Sequence, residues 1–171
     1  MVKYGLLAGV TALSLAGCST PPPDYSAQYQ PLVDAYVAGW NEGKFDTFNN
    51  VLTADFKRRA PGGAVGNADG VEAIEKLMTD TRIAYPDVKV VLGESHYLND
   101  VSFHLWTATG TNTGPGADGA AATGKPISIS GMTVMRYREG KIAEEDVQMD
   151  MLGWVQQLGY TVTPPAPAVN P

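Results

Sequence analysis

The spacing of apolar residues changes near Pro86, and that change is the strongest constraint on the fold of this chain. Before Pro86, apolar residues recur every three or four positions, as along the stripe from Tyr29 to Trp40. This spacing is typical of amphipathic helices. After Pro86, four segments alternate between apolar and polar residues, as half-buried strands do. Helices followed by consecutive strands predict an α+β fold rather than an alternating α/β fold.

Local signals set the ends of the predicted helices. The first helix follows the stripe that begins at Tyr29 and stops at Gly43, because glycine suits the left-handed conformation at a helix end. Asp69 and Glu72 have the spacing of a capping box, which predicts the start of a third helix. Shorter elements complete this part of the chain: a helix over 45–52, a brief strand over 56–59 and a glycine-rich loop over 60–68.

The alternating half of the chain predicts four strands in an antiparallel meander. Asn99-Asp100 and Glu139-Gly140 each separate two strands and are typical of tight hairpin turns. The loop over 113–124, rich in glycine and alanine, joins the middle two strands. The predicted strands cover 88–95, 101–112, 127–138 and 142–149, and a short amphipathic helix follows over 151–158.

The N-terminus has the pattern of a signal peptide with a cysteine at its end. Lys3 precedes an apolar run over 5–16, and that run is too short to cross a bilayer as a permanent helix. Leu15-Ala16-Gly17-Cys18 resembles the lipobox of bacterial lipoproteins at all four positions. The resemblance implies cleavage before Cys18, a diacylglycerol on its thiol, and acylation of the new amino group by palmitate or a similar chain. An ordinary signal peptide with a chance cysteine is the alternative.

These observations divide the chain into four parts. Residues 1–17 are predicted to be the lipoprotein signal peptide, and 18–27 the lipidated cysteine with a proline-rich tether. Residues 28–162 are predicted to form one domain, and 163–171 a disordered proline-rich tail. The expected location is the bacterial cell envelope. Lipoproteins kept at an inner membrane usually carry aspartate after the cysteine, so Ser19 favours an outer membrane, facing the periplasm, if the host has two membranes.

Charge and cysteine content exclude several kinds of partner. Lys3 is the only charged residue of the predicted signal peptide, so the mature chain has one basic residue fewer than the 12 of the full chain, against 18 acidic residues. Such an acidic chain, with no basic cluster beyond Arg58-Arg59, is not expected to bind nucleic acid. Cys18 is the only cysteine, so the domain forms no internal disulfide and depends on a packed core.

A set of short motifs resembles the SnoaL-like polyketide cyclases, often called ester cyclases, along nearly the whole domain. The motifs that follow the order and spacing of that family are Trp40-Asn41-Glu42-Gly43, Asp55-Phe56, Gly70-Val71, Ala84-Tyr85-Pro86-Asp87, Thr123-Gly124-Lys125-Pro126, Gly140-Lys141-Ile142, Asp150-Met151-Leu152-Gly153 and Gln156-Gln157-Leu158-Gly159. The resemblance implies the cone-shaped barrel of the nuclear transport factor 2-like superfamily, in which a curved antiparallel sheet wraps around N-terminal helices. It also implies a pocket for a small apolar or enolisable molecule. One fold hosts many functions, so the resemblance says less about the reaction.

Asp150 is the first candidate catalytic residue. In the cyclases that the chain resembles, an aspartate at the end of the last strand removes a proton from an activated carbon, with no metal or cofactor. An intramolecular aldol closure follows. A carboxylate can do this when it is held in a pocket and a donor stabilises the enolate oxygen. Asp150 also precedes the last helix, where aspartate is a preferred N-cap, and the two roles are compatible.

Asp146 is the second candidate catalytic residue. Asp146, Gln148 and Asp150 share one parity along the last strand, so they are predicted to face the same side. Two carboxylates facing one apolar cavity would separate their pKa values, as a base and a protonated donor require. A solvent-facing strand surface is the alternative for Asp146. Related cyclases generally carry an aromatic residue at this position, so the pocket wall is expected to be more polar here.

Six further residues are candidates for substrate binding. They are of two kinds, aromatic side chains that wall a pocket and donors that bind an oxyanion or a carboxylate. The aromatic residues are Tyr36, Trp40 and Trp106, and the donors are Asn112, Gln148 and Arg59. Arg59 could instead neutralise Asp146, or lie with Arg58 on the surface.

Three functions remain open from the sequence. The first is a cofactor-free cyclase or isomerase that uses Asp150 as its base. The second is a lipid-anchored module that binds a small apolar molecule without changing it. The third is an assembly role, in which the open face of the sheet pairs two copies as a homodimer. Two histidines far apart, with no cysteine near them, form no metal signature, so neither a metal nor a cofactor is expected.

Overall fold

The computed structural model describes residues 23–63 and 66–163. The predicted signal peptide, Cys18, the first half of the predicted tether and nearly all of the predicted tail lie outside these residues. Within them, no helix is both long enough and apolar enough to cross a membrane. The described part combines four helices with six strands, as the change of period predicts for an α+β fold.

The helices end where local chemistry favours an end. α1 covers Ser26–Glu42 and stops at Gly43, whose φ of 70° is the left-handed conformation predicted for it. α2 is a single turn at Phe48–Val51, and α3 covers Val71–Ala84. The last element, α4, covers Met151–Gln157.

The predicted capping box at the start of α3 is wrong. The residue before α3 is Gly70, whose φ is 90°, and no side chain caps this helix. Asp69 belongs to a two-residue strand and binds Arg59 instead. The Gly70 N–H donates to Phe56 O, so the chain enters α3 directly from a strand pair. Pairing in the strand turns the Asp69 side chain away from the first turn of the helix, and this prevents the capping box.

The four strands of the alternating half form the predicted antiparallel meander. They are β3 (Lys89–Tyr97), β4 (Val101–Thr111), β5 (Pro126–Arg138) and β6 (Lys141–Met149). The turn between β5 and β6 has positive φ at both central residues, 54° at Glu139 and 73° at Gly140. Positive φ at both positions is what a two-residue hairpin turn requires, so the prediction of this turn is confirmed.

The complete sheet is mixed, which corrects the prediction of an entirely antiparallel sheet. Its order is β2-β1-β6-β5-β4-β3. β1 (Leu52–Arg59) pairs in parallel with β6, and β2 (Ala68–Asp69) pairs antiparallel with β1 at the edge. The sequence predicts a strand over 56–59 only, whereas β1 begins at Leu52. α3 then carries the chain from β2 to β3, at the opposite edge of the sheet.

The sheet has an inner face, which the helices cover, and an outer face. On β4, for example, His104 points inward and is buried, whereas Leu105 points outward and is exposed. The register of the β5–β6 pairing shifts at Ala143, which has no direct partner on β5. Beyond this shift, Glu145 and Val147 face inward and are buried.

Two apolar clusters pack under the inner face. The larger cluster joins α1, α2, α3 and β1 to β5 and β6, and Tyr36, Phe48 and Ile74 are among its fully buried members. The smaller cluster lies where α3 ends, and Trp154 and Leu158 of α4 pack against it. The buried residues of the smaller cluster are Ala84, Tyr85, Val88 and Ile127. Full burial of one large apolar side chain stabilises the fold by about 1.5–3 kcal/mol.

Candidate functional site

The part of the inner face between the two clusters, which we call the interior, carries a mixed set of residues. Ile129 and Val147 are buried there and, among the described residues, belong to neither cluster. Trp106 lies on the neighbouring strand β4, and its indole Nε1 donates to Thr133 Oγ1 over 2.9 Å. The indole ring rests on Gly131, where any side chain would overlap it. The structure thus places Trp106, one of the predicted pocket aromatics, on the wall of the interior.

Asp150 ends β6 and begins α4 as its N-cap. Its Oδ1 accepts the Gly153 N–H over 2.7 Å, so the capping role predicted as one alternative is confirmed. The side chain is exposed, and within the described residues its Oδ2 accepts no hydrogen bond. A Cβ at residue 153 would overlap the Asp150 carboxylate, so a larger residue there would have to displace it. The carboxylate is therefore fixed through one oxygen and open at the other.

Asp146 and Gln148 face the same side, as parity predicts, but that side is the outer face of the sheet. Asp146 Oδ2 lies 2.5 Å from Arg136 Nη1, and about half of each side chain is exposed. Gln148 is exposed opposite Met132. Asp150 lies beyond the end of this strand. The structure does not bring Asp146 and Asp150 together in one apolar cavity.

Arg59 lies at the exposed edge of the sheet rather than over the interior. Its Cα is opposite that of Asp146 in the β1–β6 pairing, but its guanidinium Nη2 lies 2.7 Å from Asp69 Oδ1. Much of both side chains is exposed, so this ion pair contributes little to stability. The predicted pair between Arg59 and Asp146 does not form, because β2 places the Asp69 carboxylate within reach of Arg59.

Asn112 holds two loops against the end of β4. Its Nδ2 donates to Ala84 O at 3.3 Å and to Gly114 O at 3.2 Å. Its Oδ1 accepts the Thr123 N–H over 2.7 Å, and the side chain is buried. Both amide hydrogens are therefore in use, and the side chain has no spare donor for an oxyanion in this conformation.

Tyr36 and Trp40 lie on the side of α1 that covers the sheet. Tyr36 is buried in the larger cluster and donates a 2.6 Å hydrogen bond to Glu145 Oε2. Burial, and after it the charge of Glu145, raises the pKa of Tyr36 well above its ordinary value, so the phenol stays protonated. Trp40 is partly buried and packs against the same cluster.

Arg58 and Glu145 form a buried ion pair that the sequence analysis missed. Arg58 Nε lies 2.9 Å from Glu145 Oε2, the oxygen that Tyr36 also binds, and less than a tenth of either side chain is exposed. We call Tyr36, Arg58 and Glu145 the buried triad. The alternation of inward and outward residues along a strand could have indicated their burial. Arg58 is two residues from the buried Phe56, and Glu145 is two residues from the buried Val147. The signal is weak, because charged residues are seldom buried unless they are paired.

His104 is the centre of a second buried polar group on the inner face. Its Nδ1 lies 2.9 Å from Ser95 Oγ and its Nε2 lies 2.7 Å from Ser102 Oγ, which in turn lies 2.7 Å from Tyr137 Oη. Burial lowers the pKa of His104 to about 4, so the ring is neutral at neutral pH. Burial also raises the pKa of Tyr137 above its ordinary value. At neutral pH this group therefore carries no charge.

The described residues contain no group of three or more His, Cys, Asp or Glu side chains that could hold a metal ion. Two groups with chemical capacity remain, the exposed Asp150 carboxylate at the end of β6 and the buried triad. One can accept a proton, and the other can donate hydrogen bonds from a guanidinium held in low-dielectric surroundings.

The arrangement of helices over the inner face of a curved six-stranded sheet defines the nuclear transport factor 2-like and ketosteroid isomerase-like class of folds. The chain belongs to the SnoaL-like polyketide cyclase family, whose sequence model matches residues 30–158. No curated protein matches the sequence.

Solved structures support the fold. TsrD from Streptomyces laurentii is similar with a TM-score of 0.68 and 26% identity, over 78% of this chain and 96% of TsrD. A protein from Jannaschia sp. CCS1, assigned to the SnoaL-like polyketide cyclases, is similar with a TM-score of 0.70 and 18% identity, over 85% of this chain and 100% of that one. A protein of ketosteroid isomerase-like fold from Catenulispora acidiphila, in complex with trimethylamine, gives a TM-score of 0.62 and 19% identity, over 78% and 97% of the two chains. The last two identities are low enough that the likeness concerns the fold alone.

Proposed function

We propose that the protein is a lipid-anchored enzyme of the cyclase or isomerase type, which acts on a small, apolar, enolisable molecule without a cofactor. Asp150 is the general base, and the interior beside Trp106 holds the substrate. The observation that carries this proposal is the state of the Asp150 carboxylate, which Gly153 fixes through Oδ1 while Oδ2 stays open. Membership of the SnoaL-like polyketide cyclase family supports the type of reaction.

A fixed carboxylate with one open oxygen suits proton transfer. The Gly153 N–H holds the Asp150 carboxylate in one orientation, so little conformational freedom is lost when a substrate binds. Because Asp150 is exposed, the substrate itself must displace water from Oδ2. Loss of that water makes the carboxylate a stronger base toward a carbon acid.

The proposed reaction balances as a transfer of one proton. Asp150 Oδ2 takes a proton from a carbon next to a carbonyl group, and the electron pair of the broken C–H bond moves onto the carbonyl oxygen as an enolate. In a cyclase, the enolate carbon then forms a bond to a second carbonyl carbon of the same molecule. In an isomerase, another carbon is protonated instead. Asp150 returns its proton to the new alkoxide or to that carbon.

Hydrogen exchange at an activated carbon tests the base directly. The probe is 2-tetralone, an apolar bicyclic ketone, and NMR in D2O follows the loss of its α-hydrogens. The protein is the lipid-free mature chain, residues 18–171 with Cys18→Ser. We expect it to accelerate exchange and Asp150→Asn to reduce the acceleration by about a hundredfold or more. Because asparagine is also a good N-cap, this variant keeps its stability. Exchange at the unchanged rate in Asp150→Asn would remove Asp150 as the base.

Two further variants help to interpret the exchange rates. Asp146→Asn makes the same substitution on the outer face, and loss of exchange there instead would move the base to Asp146. Asp150→Ala removes both the base and the cap, so it should lose exchange together with about 1 kcal/mol of stability. Binding of 2-tetralone without any exchange would favour the binding module over the enzyme.

We also propose that the outer face of the sheet pairs two copies of the chain. Leu105 is 48% exposed, and it lies directly opposite Met132, which is 40% exposed. Val91, on β3, is 56% exposed on the same face. An open depression of about 420 Å³ lies beside Leu105 and Ser130. Contiguous apolar surface of this kind is typical of an interaction site.

Sedimentation velocity tests the pairing. We expect the lipid-free mature chain to sediment as a dimer at micromolar concentration and Leu105→Lys to sediment as a folded monomer. A monomeric parent chain would contradict the homodimer.

The membrane attachment in this proposal rests on the lipobox sequence that ends at Cys18. That part of the chain lies outside the described residues.

A further inference from the structure

We propose that Arg58 holds the substrate oxygen that becomes negative when Asp150 removes the proton. The ligand therefore carries a carbonyl or enolate oxygen that reaches Arg58. This inference rests on the proposed function and adds the donor that a general base needs as its partner. Without a donor, the enolate charge would develop in an apolar interior, where it is poorly stabilised.

The Arg58 side chain is buried with one hydrogen-bond donor, the Nε–H, left without an acceptor. Its side chain is 9% exposed, and its Nε makes no hydrogen bond, because the N–H does not point at the nearby Glu145 oxygen. Its Nη1 donates to Gly66 O, so Nε is the buried nitrogen of this guanidinium that lacks an acceptor among the described residues. A guanidinium has five N–H donors, and buried donors without acceptors cost free energy. A ligand oxygen would supply the missing acceptor.

The neighbours of Arg58 hold it ready for such an oxygen. Glu145 supplies the counter-charge, and Tyr36 binds the same Glu145 oxygen over 2.6 Å, which keeps the carboxylate in place. The Trp40 ring centre lies 5.4 Å from Arg58 Cζ, within the range of a cation–π contact. Because Arg58 and Glu145 are neutral as a pair, they attract a carbonyl dipole weakly and an enolate oxygen more strongly. Stronger binding of the enolate oxygen than of the carbonyl oxygen lowers the barrier to proton removal.

The distance between Arg58 and Asp150 limits the size of the ligand. Arg58 lies opposite Glu145 in the β1–β6 pairing, and the chain from Glu145 to Asp150 spans about 16 Å along a strand. The side chains of Arg58 and Asp150 each cover part of that span. A ligand that touches both therefore has about the length of two or three fused rings.

Two naphthalene probes test this assignment. 2-Naphthol can become an oxyanion conjugated with its ring, as an enolate is, whereas 2-methoxynaphthalene has nearly the same shape and cannot. Absorption titrations at pH 8 give the dissociation constant of each probe and the ionised fraction of the bound naphthol. We expect the lipid-free mature chain to bind 2-naphthol at least tenfold more tightly than its methyl ether, and mainly as the naphtholate.

The variants separate the effect of the guanidinium on ligand binding from its effect on folding. Arg58→Met alone would leave Glu145 buried without a counter-charge, so it risks unfolding. The double variant Arg58→Met/Glu145→Gln removes both charges and keeps similar volumes. We expect it to bind 2-methoxynaphthalene as the parent chain does and to lose the preference for 2-naphthol. Arg138→Met, which removes an exposed guanidinium paired with Asp55, is the matched control and should keep the preference.

The outcomes separate this inference from the proposed function. If the parent chain binds the ether but does not prefer 2-naphthol, or if the double variant keeps the preference, the role of Arg58 is overturned and ligand binding in the interior stands. If neither probe binds the parent chain, ligand binding in the interior is overturned and this inference with it. If the double variant does not fold, Arg58→Lys decides, because an ammonium can pair with Glu145 but does not offer the fork of donors. Loss of the preference in Arg58→Lys supports the assignment, and an unchanged preference overturns it.

Discussion

The side-chain amide of Gln157 makes both backbone hydrogen bonds that a neighbouring strand would make with Ser128. Gln157 Oε1 accepts the Ser128 N–H at 2.7 Å, and Gln157 Nε2 donates to Ser128 O at 3.1 Å. β6 ends at Met149, so the first part of β5 lacks a strand on this side. α4 crosses the open edge instead, with the Asp150 N–H donating to Ser130 O where the helix begins. An unpaired strand edge is a site of wrong pairing, and α4 covers it here.

Gln157→Ala should destabilise the protein by about 1–2 kcal/mol, because two hydrogen bonds to the β5 backbone are lost. Urea unfolding measures this loss. The Ser128 amide should also exchange faster with solvent by NMR, while amides in the middle of β4 keep their protection. Gln156→Ala is the control, since Gln156 is exposed on the same helix. Equal stability of the two variants would show that the amide bridge does not contribute.

His104 should make stability depend on pH in the mildly acidic range. Burial lowers the pKa of His104 from 6.5 to about 4, so the unfolded chain binds more protons than the folded one between these values. The contribution is therefore fully present above pH 6.5 and is lost as the pH falls toward 4. Between pH 7 and pH 5 the loss should be about 2 kcal/mol.

Urea unfolding of the parent chain and of His104→Gln at both pH values checks this dependence. Glutamine can still bond to Ser95 or Ser102 but does not titrate, so the variant should lose less stability on acidification. His96→Gln is the control, because His96 is exposed. Parallel pH profiles for the parent chain and His104→Gln would contradict the prediction.

Gly131→Ala should displace Trp106 from the wall of the interior. A Cβ at residue 131 would overlap the indole ring and would approach Gln148 O to 2.5 Å. Overpacking of this kind costs about 1–3 kcal/mol. Urea unfolding and the near-UV circular dichroism of tryptophan report the two effects. Gly93→Ala is the matched control on a strand, because its new Cβ would make only an ordinary contact, 3.6 Å from Leu105 O.

Cys18→Ala should release the protein from the membrane fraction of a bacterial host. The lipobox resemblance predicts that the full chain is cut before Cys18 and carries a diacylglycerol on its thiol, and stable anchoring needs more than one acyl chain. Fractionation of the host and intact-mass spectrometry of the purified protein test both statements. Ser19→Asp is the informative companion, because it should keep the lipid and shift the protein toward the inner membrane. If the mature protein has the mass of the chain without lipid, the lipobox prediction is wrong and the N-terminus is an ordinary signal peptide.

The helices and hairpins could be predicted because their signals are local. The stripe from Tyr29 to Trp40 lies in α1, and the turn at Glu139-Gly140 has the backbone that its residues favour. The parallel pairing of β1 with β6 could not be predicted in this way, because it joins segments that are far apart in the sequence and has no turn to mark it. The capping box was predicted wrongly for a related reason. Asp69 lies in β2, a strand that forms only by pairing with β1, and the local sequence does not indicate this pairing.

Within the candidate site, the position of Asp150 could be predicted from the sequence, whereas the direction of Asp146 could not. Asp150 stands at the junction of β6 and α4, as its sequence context indicates. Asp146 shares its parity but lies on the outer face, because the inward direction of β6 depends on the register shift at Ala143. The same shift directs Glu145 toward Arg58. A shift of one residue exchanges the two faces of a strand, and the pattern of this short polar segment does not fix it.

The two ends of the inner face differ in their distance from the N-terminus of the chain. Tyr29, near the start of α1, stacks on Tyr137 with ring centres 3.7 Å apart, whereas Asp150 lies beside Ser130, about 23 Å back along β5. Only residues 18–25 separate Cys18 from α1, which allows a reach of at most about 30 Å. A chain held by lipid at Cys18 would work within one domain diameter of the bilayer, and because this reach exceeds the length of the inner face, either end of that face could turn toward the lipid. An apolar substrate dissolved in the bilayer would then lie within reach of the Asp150 end.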